Sequence, residues 1–361
     1  MSGNPYFLRD RDGGRDLSPR GAQRAARGRA LVGAGWALRV IGTVVGLLSF
    51  FEFKEYIKDA HWGSVGEGLW WLGLMGWAVA FIVGLAAFIV GRLVVVRGKQ
   101  HTADLVVSCA GLAGTRYVLY LRPFSNDPEM AALNDDIQGG GANLENIFFV
   151  SGLTHEEALV RRFRQFGRVV AIGRPGENLP LPGATRAYLP LDDWKGTVSE
   201  LIAGAHVVLL SAGPGPGTVW ECTEALRLLP PDRLVLLAYC DAATYDRFRE
   251  AVAAEYDRRS RTEPGSPGTG LWPPLPALPG YPAPARPERP RWQVLLNGGR
   301  KRLRWDFVLK GLVVFGPRWE ARFIRFDPTT LKLPSVWTLH RLVKRELRPV
   351  QTQLEALDAR N

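Results

Sequence analysis

At 361 residues the chain has room for more than one folded unit, and its mean hydropathy of -0.05 averages an apolar N-terminal third with a polar, Arg- and Pro-rich remainder. The formal net charge is +11, much of it before residue 30 and between Arg300 and Arg348; beside a membrane segment such charge orients the chain and attracts anionic lipid, so no nucleic-acid partner is expected. Cys109, Cys222 and Cys240 form no C-x-x-C pair and have no histidine cluster beside them, which argues against a disulfide framework or a zinc site and fits a reducing compartment.

In chain order, residues 1–30 are rich in Gly and Arg and poor in apolar residues, and read as a disordered basic arm. A two-helix transmembrane hairpin is expected over 31–99. Its second span, 69–90, has no charge in 22 residues and would reach about 33 Å, enough for a hydrocarbon core. Trp70 and Trp71 suit an interfacial belt at one end, and Arg92 and Arg97 close the other. The first span, about 36–55, places Arg39 near an end, where its side chain can snorkel to the headgroups. A cleaved signal peptide is opposed by the long arm before it and by FEFKEYIKD after it. Arginines flank both outer ends, and the loop of about 53–68 is mixed in sign. The positive-inside rule therefore predicts a multi-pass protein of the inner cell membrane with both termini cytoplasmic.

Beyond residue 100 short apolar runs alternate with helical stretches. Strands are expected at 117–121, 169–172, 207–210 and 234–238, and helices at 156–166, 194–205 and 218–229. Continuous apolar strands separated by helices predict a doubly wound, flavodoxin-like parallel α/β sheet over 100–361. Its ligand crevice would lie beyond the strand ends, at 122–127, 173–176 and 211–217. A Pro-rich insertion at 263–290 reads as a long loop or semi-rigid linker. Two more strands, 307–315 and 321–326, and a closing helix at 336–357 complete the domain.

The stretch SAGPGPGTVWECTEAL, 211–226, runs from a strand through a glycine-rich loop into a helix bearing Glu221 and Glu224 on nearly one face. Thr218 as N-cap would make Glu221 the N3 acid of a capping box. Glu224 has no capping duty; it is either a solvated surface charge or a group that reaches a ligand. The loop lacks a P-loop pattern, and Pro214 and Pro216 remove backbone donors, which disfavours a phosphate cradle. No Ser/His/Asp set is visible.

The order of these blocks resembles Toll/interleukin-1 receptor (TIR) domains. YVLYLRPFSND resembles the first strand and its acid-bearing loop, with Asp127 in the acidic place. VVAIGRPGENLPLPG is similar to the second strand and the mobile loop after it. VSELIAGAHVVLLS resembles the helix–Ala–strand–Ser unit ending at Ser211, and GTVWECTEAL carries Trp-x-x-x-Glu as Trp220 and Glu224. The resemblance covers about 115–240, roughly a third of the chain. The GT-x-x-E spacing is also similar to nucleoside 2-deoxyribosyltransferases, where the glutamate would be Glu221.

The resemblance implies a membrane-tethered signalling or defence protein that cleaves the nicotinamide–ribose bond of NAD. NAD would be the substrate and no cofactor would be needed. Glu224, or Glu221 on the second alignment, would be catalytic. Trp220, Arg122, Phe124, Asp127, Gly173, Arg174 and Ser211 would bind the ligand, with no metal, and the domain would self-associate. A non-catalytic TIR-like scaffold and a nucleotide-binding membrane sensor are the alternatives. Two departures stand out: residues 128–154 intervene before the first helix as a candidate flap, and the Pro-rich segment has no counterpart in a compact domain.

Overall fold

The computed structural model describes residues 22–60, 67–106, 109–112, 114–132, 153–189, 194–266, 270–288, 290–296, 306–332 and 336–358. Most of the basic arm, the centre of the loop between the first two helices and most of the candidate flap lie outside these residues.

Two helices, α1 (Ala25–Ala60) and α2 (Glu67–Gln100), run antiparallel and are long and apolar enough to cross a membrane. At 36 and 34 residues they reach about 54 and 51 Å, so both extend past the apolar stretches. Glycine recurs every seventh residue along the seam, with Gly28, Gly35 and Gly42 on α1 facing Gly98, Gly91 and Gly84 on α2. A Cβ on Gly35 would stand 2.8 Å from the Gly91 carbonyl oxygen, and one on Gly42 would stand 2.5 Å from that of Gly84. The backbones touch because there is no side chain between them, the packing mode favoured where apolar surroundings give no hydrophobic gain. Arg39 does not snorkel. It is 3% exposed between the helices, 4.2 Å from the Trp36 ring centre and 5.6 Å from that of Phe88. Gly91 makes the room, since a Cβ there would lie 2.8 Å from Arg39 Cγ.

The chain passes from α2 straight into the domain. Lys99 Nζ meets Glu157 at 2.6 Å, and residues 104–106 bond to Arg186 through Arg186 N–Asp104 O at 3.0 Å and Val106 N–Arg186 O at 2.7 Å.

The domain is built on a seven-stranded sheet: β1 (Tyr117–Leu121), β2 (Arg168–Ile172), β3 (Thr185–Ala187), β4 (Val207–Ser211), β5 (Leu234–Ala238), β6 (Gly311–Phe315) and β7 (Ala321–Arg325). The order is β3-β2-β1-β4-β5-β6-β7. It is parallel from β3 to β5, and β6 and β7 add antiparallel. Val118 aligns with both Val169 and Val207, and Val208 with Leu234, so the apolar runs stack in register. Every residue of β1, β4 and β5 is buried, because helices cover both faces.

On one face α5 (Trp194–Gly204), α6 (Pro216–Leu228) and α7 (Ala242–Thr262) pack over Leu119, Leu121, Val208, Leu210 and Leu236. On the other, α4 (His155–Phe163) and α9 (Val336–Asp358) cover Val118, Tyr120, Leu209, Val235 and Leu237. Helix α9 contributes Leu339, Leu342, Val343, Leu347, Val350 and Leu354, one stripe at helical spacing. Each such side chain contributes about 1.5–3 kcal/mol by leaving water. Two short helices, α3 (Asp127–Ala131) and α8 (Arg291–Leu296), complete the set described.

The expected strands are found with two differences. β3 is three residues long with Arg186 at its centre, too short and too polar to show a strand pattern. β6 begins at Gly311 rather than 307, because Phe307, Val308 and Leu309 fill the core beneath α9 as irregular chain.

The described part of the Pro-rich segment is irregular, as expected, and lies docked along the α7 side. Trp272 donates to Glu263 O at 3.1 Å, Tyr281 to Cys240 O at 3.1 Å, and Arg325 to Pro282 O at 2.9 Å.

Candidate functional site

At β1 the strand order turns back, with β2 on one side and β4 on the other. Loops leaving neighbouring strands diverge at such a point and open a crevice. A cavity of about 570 Å³ occupies it. Leu121, Arg122, Pro123 and Phe124 enter from the end of β1, and Ile172, Gly173, Arg174 and Pro175 from the end of β2. Trp194 and Val198 come from α5, and Gly215, Gly217, Thr218 and Glu221 from the start of α6. The walls are mainly apolar, with a few polar groups converging, the usual make-up of a small-molecule site.

Helix α6 starts earlier than its sequence suggests. Gly215 is the N-cap, without a side-chain cap, and Pro216 takes N1, where its fixed φ and missing N–H suit a helix start. Thr218 therefore lies inside the first turn and forms no capping box with Glu221. The freed Glu221 carboxyl faces the cavity. It meets apolar surroundings and no cation, and burial pushes its pKa up to about 8. The positive end of the α6 dipole points at the same space.

Glu224, one turn on, is 2% exposed and is absent from the cavity lining. Arg227 reaches its carboxylate at 2.5 Å, Arg259 at 2.6 Å and Ser199 at 2.5 Å. Burial alone would raise this acid, but the hydrogen bonds from Arg227, Ser199 and Arg259 outweigh it and bring the pKa to about 2. It is neither a solvated surface charge nor a group free to meet a ligand. Arg259 binds Glu263 as well, at 2.7 Å, and lies 5.1 Å from the Trp220 ring centre and 5.3 Å from that of Trp272. The cluster fastens α6, α7 and the Pro-rich strap to one another.

Of the other residues singled out in the sequence, Arg122, Phe124, Gly173 and Arg174 line the cavity. Gly173 is needed there, since a Cβ would stand 2.5 Å from the Tyr188 ring. Asp127 stands behind Arg122, with its Oδ1 2.6 Å from Arg122 Nη1. Burial raises the Asp127 carboxyl, and the Arg122 charge opposes that rise. Trp220 supports the wall indirectly, edge-on to Trp194 at 5.1 Å between ring centres. Ser211 is fully buried at the end of β4, away from the lining. Cys222 is buried, and its thiol is pushed up to about 12 by burial and by nearby Glu221, which leaves it inert.

Sequence reasoning missed two participants. Trp194 is the largest aromatic of the lining, and its position at the head of a helix that opens beside the crevice was the available signal. Glu156, in the first turn of α4, is the second, and it is fully buried. It takes Arg186 Nη2 at 2.5 Å, Arg122 Nη2 at 3.4 Å and the Ala184 amide at 2.8 Å. Arg122 is thereby held in place, and its Nε makes no hydrogen bond among the described residues, which leaves a donor beside the cavity. No group of metal-ligating side chains occurs among the described residues.

Comparison with known proteins finds no matching family model, no matching curated protein and no matching solved structure.

Proposed function

We propose that the domain binds a nicotinamide–ribose dinucleotide in this cavity and cleaves its N-glycosidic bond, with Glu221 as the acting carboxylate, on a hairpin that anchors it to the inner face of the cell membrane. Both termini would be cytoplasmic. The observation that carries the reading is the contrast within α6: Glu221 faces the cavity unpartnered, while Glu224 is fully engaged in holding the fold. This favours the deoxyribosyltransferase-like alignment over the TIR-like one for the catalytic residue. The sheet order supports a flavodoxin-like frame, since without the short β3 the parallel strands run β2-β1-β4-β5.

The ring is a pyridinium while bonded and leaves with the bond's electron pair as neutral nicotinamide, water adding to the ribose carbon and losing its proton to solvent, so one carboxylate suffices. It stabilises the oxocarbenium-like centre that develops on the ribose. The cavity lining offers a single carboxylate. The bonded pyridinium near Glu221 would itself draw the carboxyl into its ionised form. The unused Arg122 Nε supplies a donor for a ligand oxygen, and Trp194 and Phe124 supply surfaces for a ring.

The test is release of nicotinamide from NAD by the full chain in detergent. Glu221→Gln is expected to lower kcat/KM by about 100- to 1000-fold, the usual loss when one transition-state charge contact is removed. Glu224→Gln is expected to lower stability while turnover per folded molecule stays within about tenfold of wild type. If Glu224→Gln is dead while folded, and Glu221→Gln is active, the assignment is wrong.

A further inference from the structure

A second cleft, of about 340 Å³, lies where the end of α2 meets α4, away from the cavity described above. Its lining includes Lys99 and Thr102 from the α2 end, and Glu157, Val160, Arg161 and Arg164 from α4 and the turn after it. Positions 157, 160, 161 and 164 form one helical stripe, so all four side chains present to the same side. We propose that this cleft holds the phosphate of an anionic phospholipid headgroup. The inference rests on reading α1 and α2 as a membrane hairpin with the domain on its basic side, and not on the glycosidic-bond reading.

Charge and depth support it. Lys99 and Glu157 satisfy each other at 2.6 Å, and Glu157 also takes the Thr154 amide at 2.7 Å in a capping box, so its charge is spent. Arg161 and Arg164 are exposed and make no side-chain hydrogen bond or ion pair among the described residues. They face one remaining acid, Asp104. Next to Thr102, burial holds His101 below its usual pKa, and Arg27, Arg97 and Arg24 add to the effect, so three more arginines act on this side of the junction. Lys99 follows Arg92, the first charge past the apolar span, by seven residues, about 10 Å along the helix. A headgroup layer is about 5–7.5 Å deep, so the cleft stands at the outer edge of the headgroups. The volume is at the small end for a ligand site, which suits a headgroup better than a whole nucleotide. Leu153 and Val160 add apolar surface beside the cations, which suits a lipid better than free phosphate.

The experiment is native mass spectrometry of the full chain in mild detergent with equal amounts of phosphatidylglycerol and phosphatidylcholine. Wild type is expected to retain one phosphatidylglycerol. The exposed double variant R161Q/R164Q is expected to bind it about thirtyfold more weakly, since each arginine at an anionic surface contributes about fivefold. The control R247Q/R258Q, on the far surface of α7, is expected to retain it. Equal retention of both lipids, or retention unchanged in R161Q/R164Q, overturns the proposal. Displacement by inorganic phosphate at concentrations matching the lipid overturns the lipid as occupant and assigns the site to soluble phosphate. Nicotinamide release is not the readout, so a catalytically dead cavity leaves this result intact. A chain that alkaline carbonate extracts from membranes overturns the hairpin reading and this proposal with it.

Discussion

Three positions separate Glu221 from Glu224 on α6, yet burial pushes the first carboxyl up to about 8, and hydrogen bonds bring the second down to about 2. The two values predict different pH behaviour. If the ionised form of Glu221 acts, kcat/KM rises with pH up to about 8 and levels above it, and Glu221→Gln removes the limb. An activity that falls through the same range would make Glu221 a proton donor instead. Stability follows the same ionisation with the opposite sense. The folded state holds the Glu221 proton more tightly than the unfolded chain, where a glutamate titrates near about 4.3. The contribution is therefore full below that value and is lost as pH rises through about 8. Thermal melts are expected to show Glu221→Gln no more stable than wild type at low pH and more stable above the folded pKa.

At the scale of elements, the hairpin seam and the Pro-rich strap make separate predictions. A leucine at Gly35 must push aside the Gly91 carbonyl and Val95, both 2.8 Å from its Cβ, whereas one at Gly33 meets nothing within 4 Å. Gly35→Leu is expected to cost about 1–3 kcal/mol in detergent melts, and Gly33→Leu close to nothing. Equal effects would contradict the seam. Arg259 is 1% exposed and joins α6, α7 and the strap. Arg259→Met is expected to cost about 3–5 kcal/mol in urea unfolding and to open 263–288 to limited proteolysis. A cost near zero would show that the strap is held by its other contacts, such as the Tyr281 and Arg325 hydrogen bonds. These elements were unequally legible. The runs 117–121, 207–210 and 234–238 announce buried strands because each is apolar throughout. The glycines at 28, 35, 42, 84, 91 and 98 were equally plain as a seven-residue repeat, and only that period had to be sought. The burial of Glu224 was not legible, since Ser199 and Arg259 lie 25 and 35 residues away and only the fold brings them together. The true start of α6 turned on Pro216, which a search for a side-chain cap passes over.

In the whole molecule, helices long and apolar enough to cross a membrane lead directly into a mostly parallel sheet with a cavity where its strand order reverses. The junction is short and polar. Lys99 binds Glu157, its neighbour Glu156 holds Arg122, and Arg122 lines the cavity. The sequence located this cavity by the rule that ligands gather beyond strand ends, and it supplied Arg122, Phe124, Gly173, Arg174 and Glu221. It could not say which glutamate faced inward, because both orientations satisfy the same spacing. The most direct measurement is a structure of the full chain with a non-hydrolysable carba-analogue of NAD. The account predicts the nicotinamide-bearing ring against Glu221 and Trp194, with Glu224 still bound to Arg227 and Arg259. An analogue bound through Glu224, or an empty cavity at saturating ligand, would contradict it.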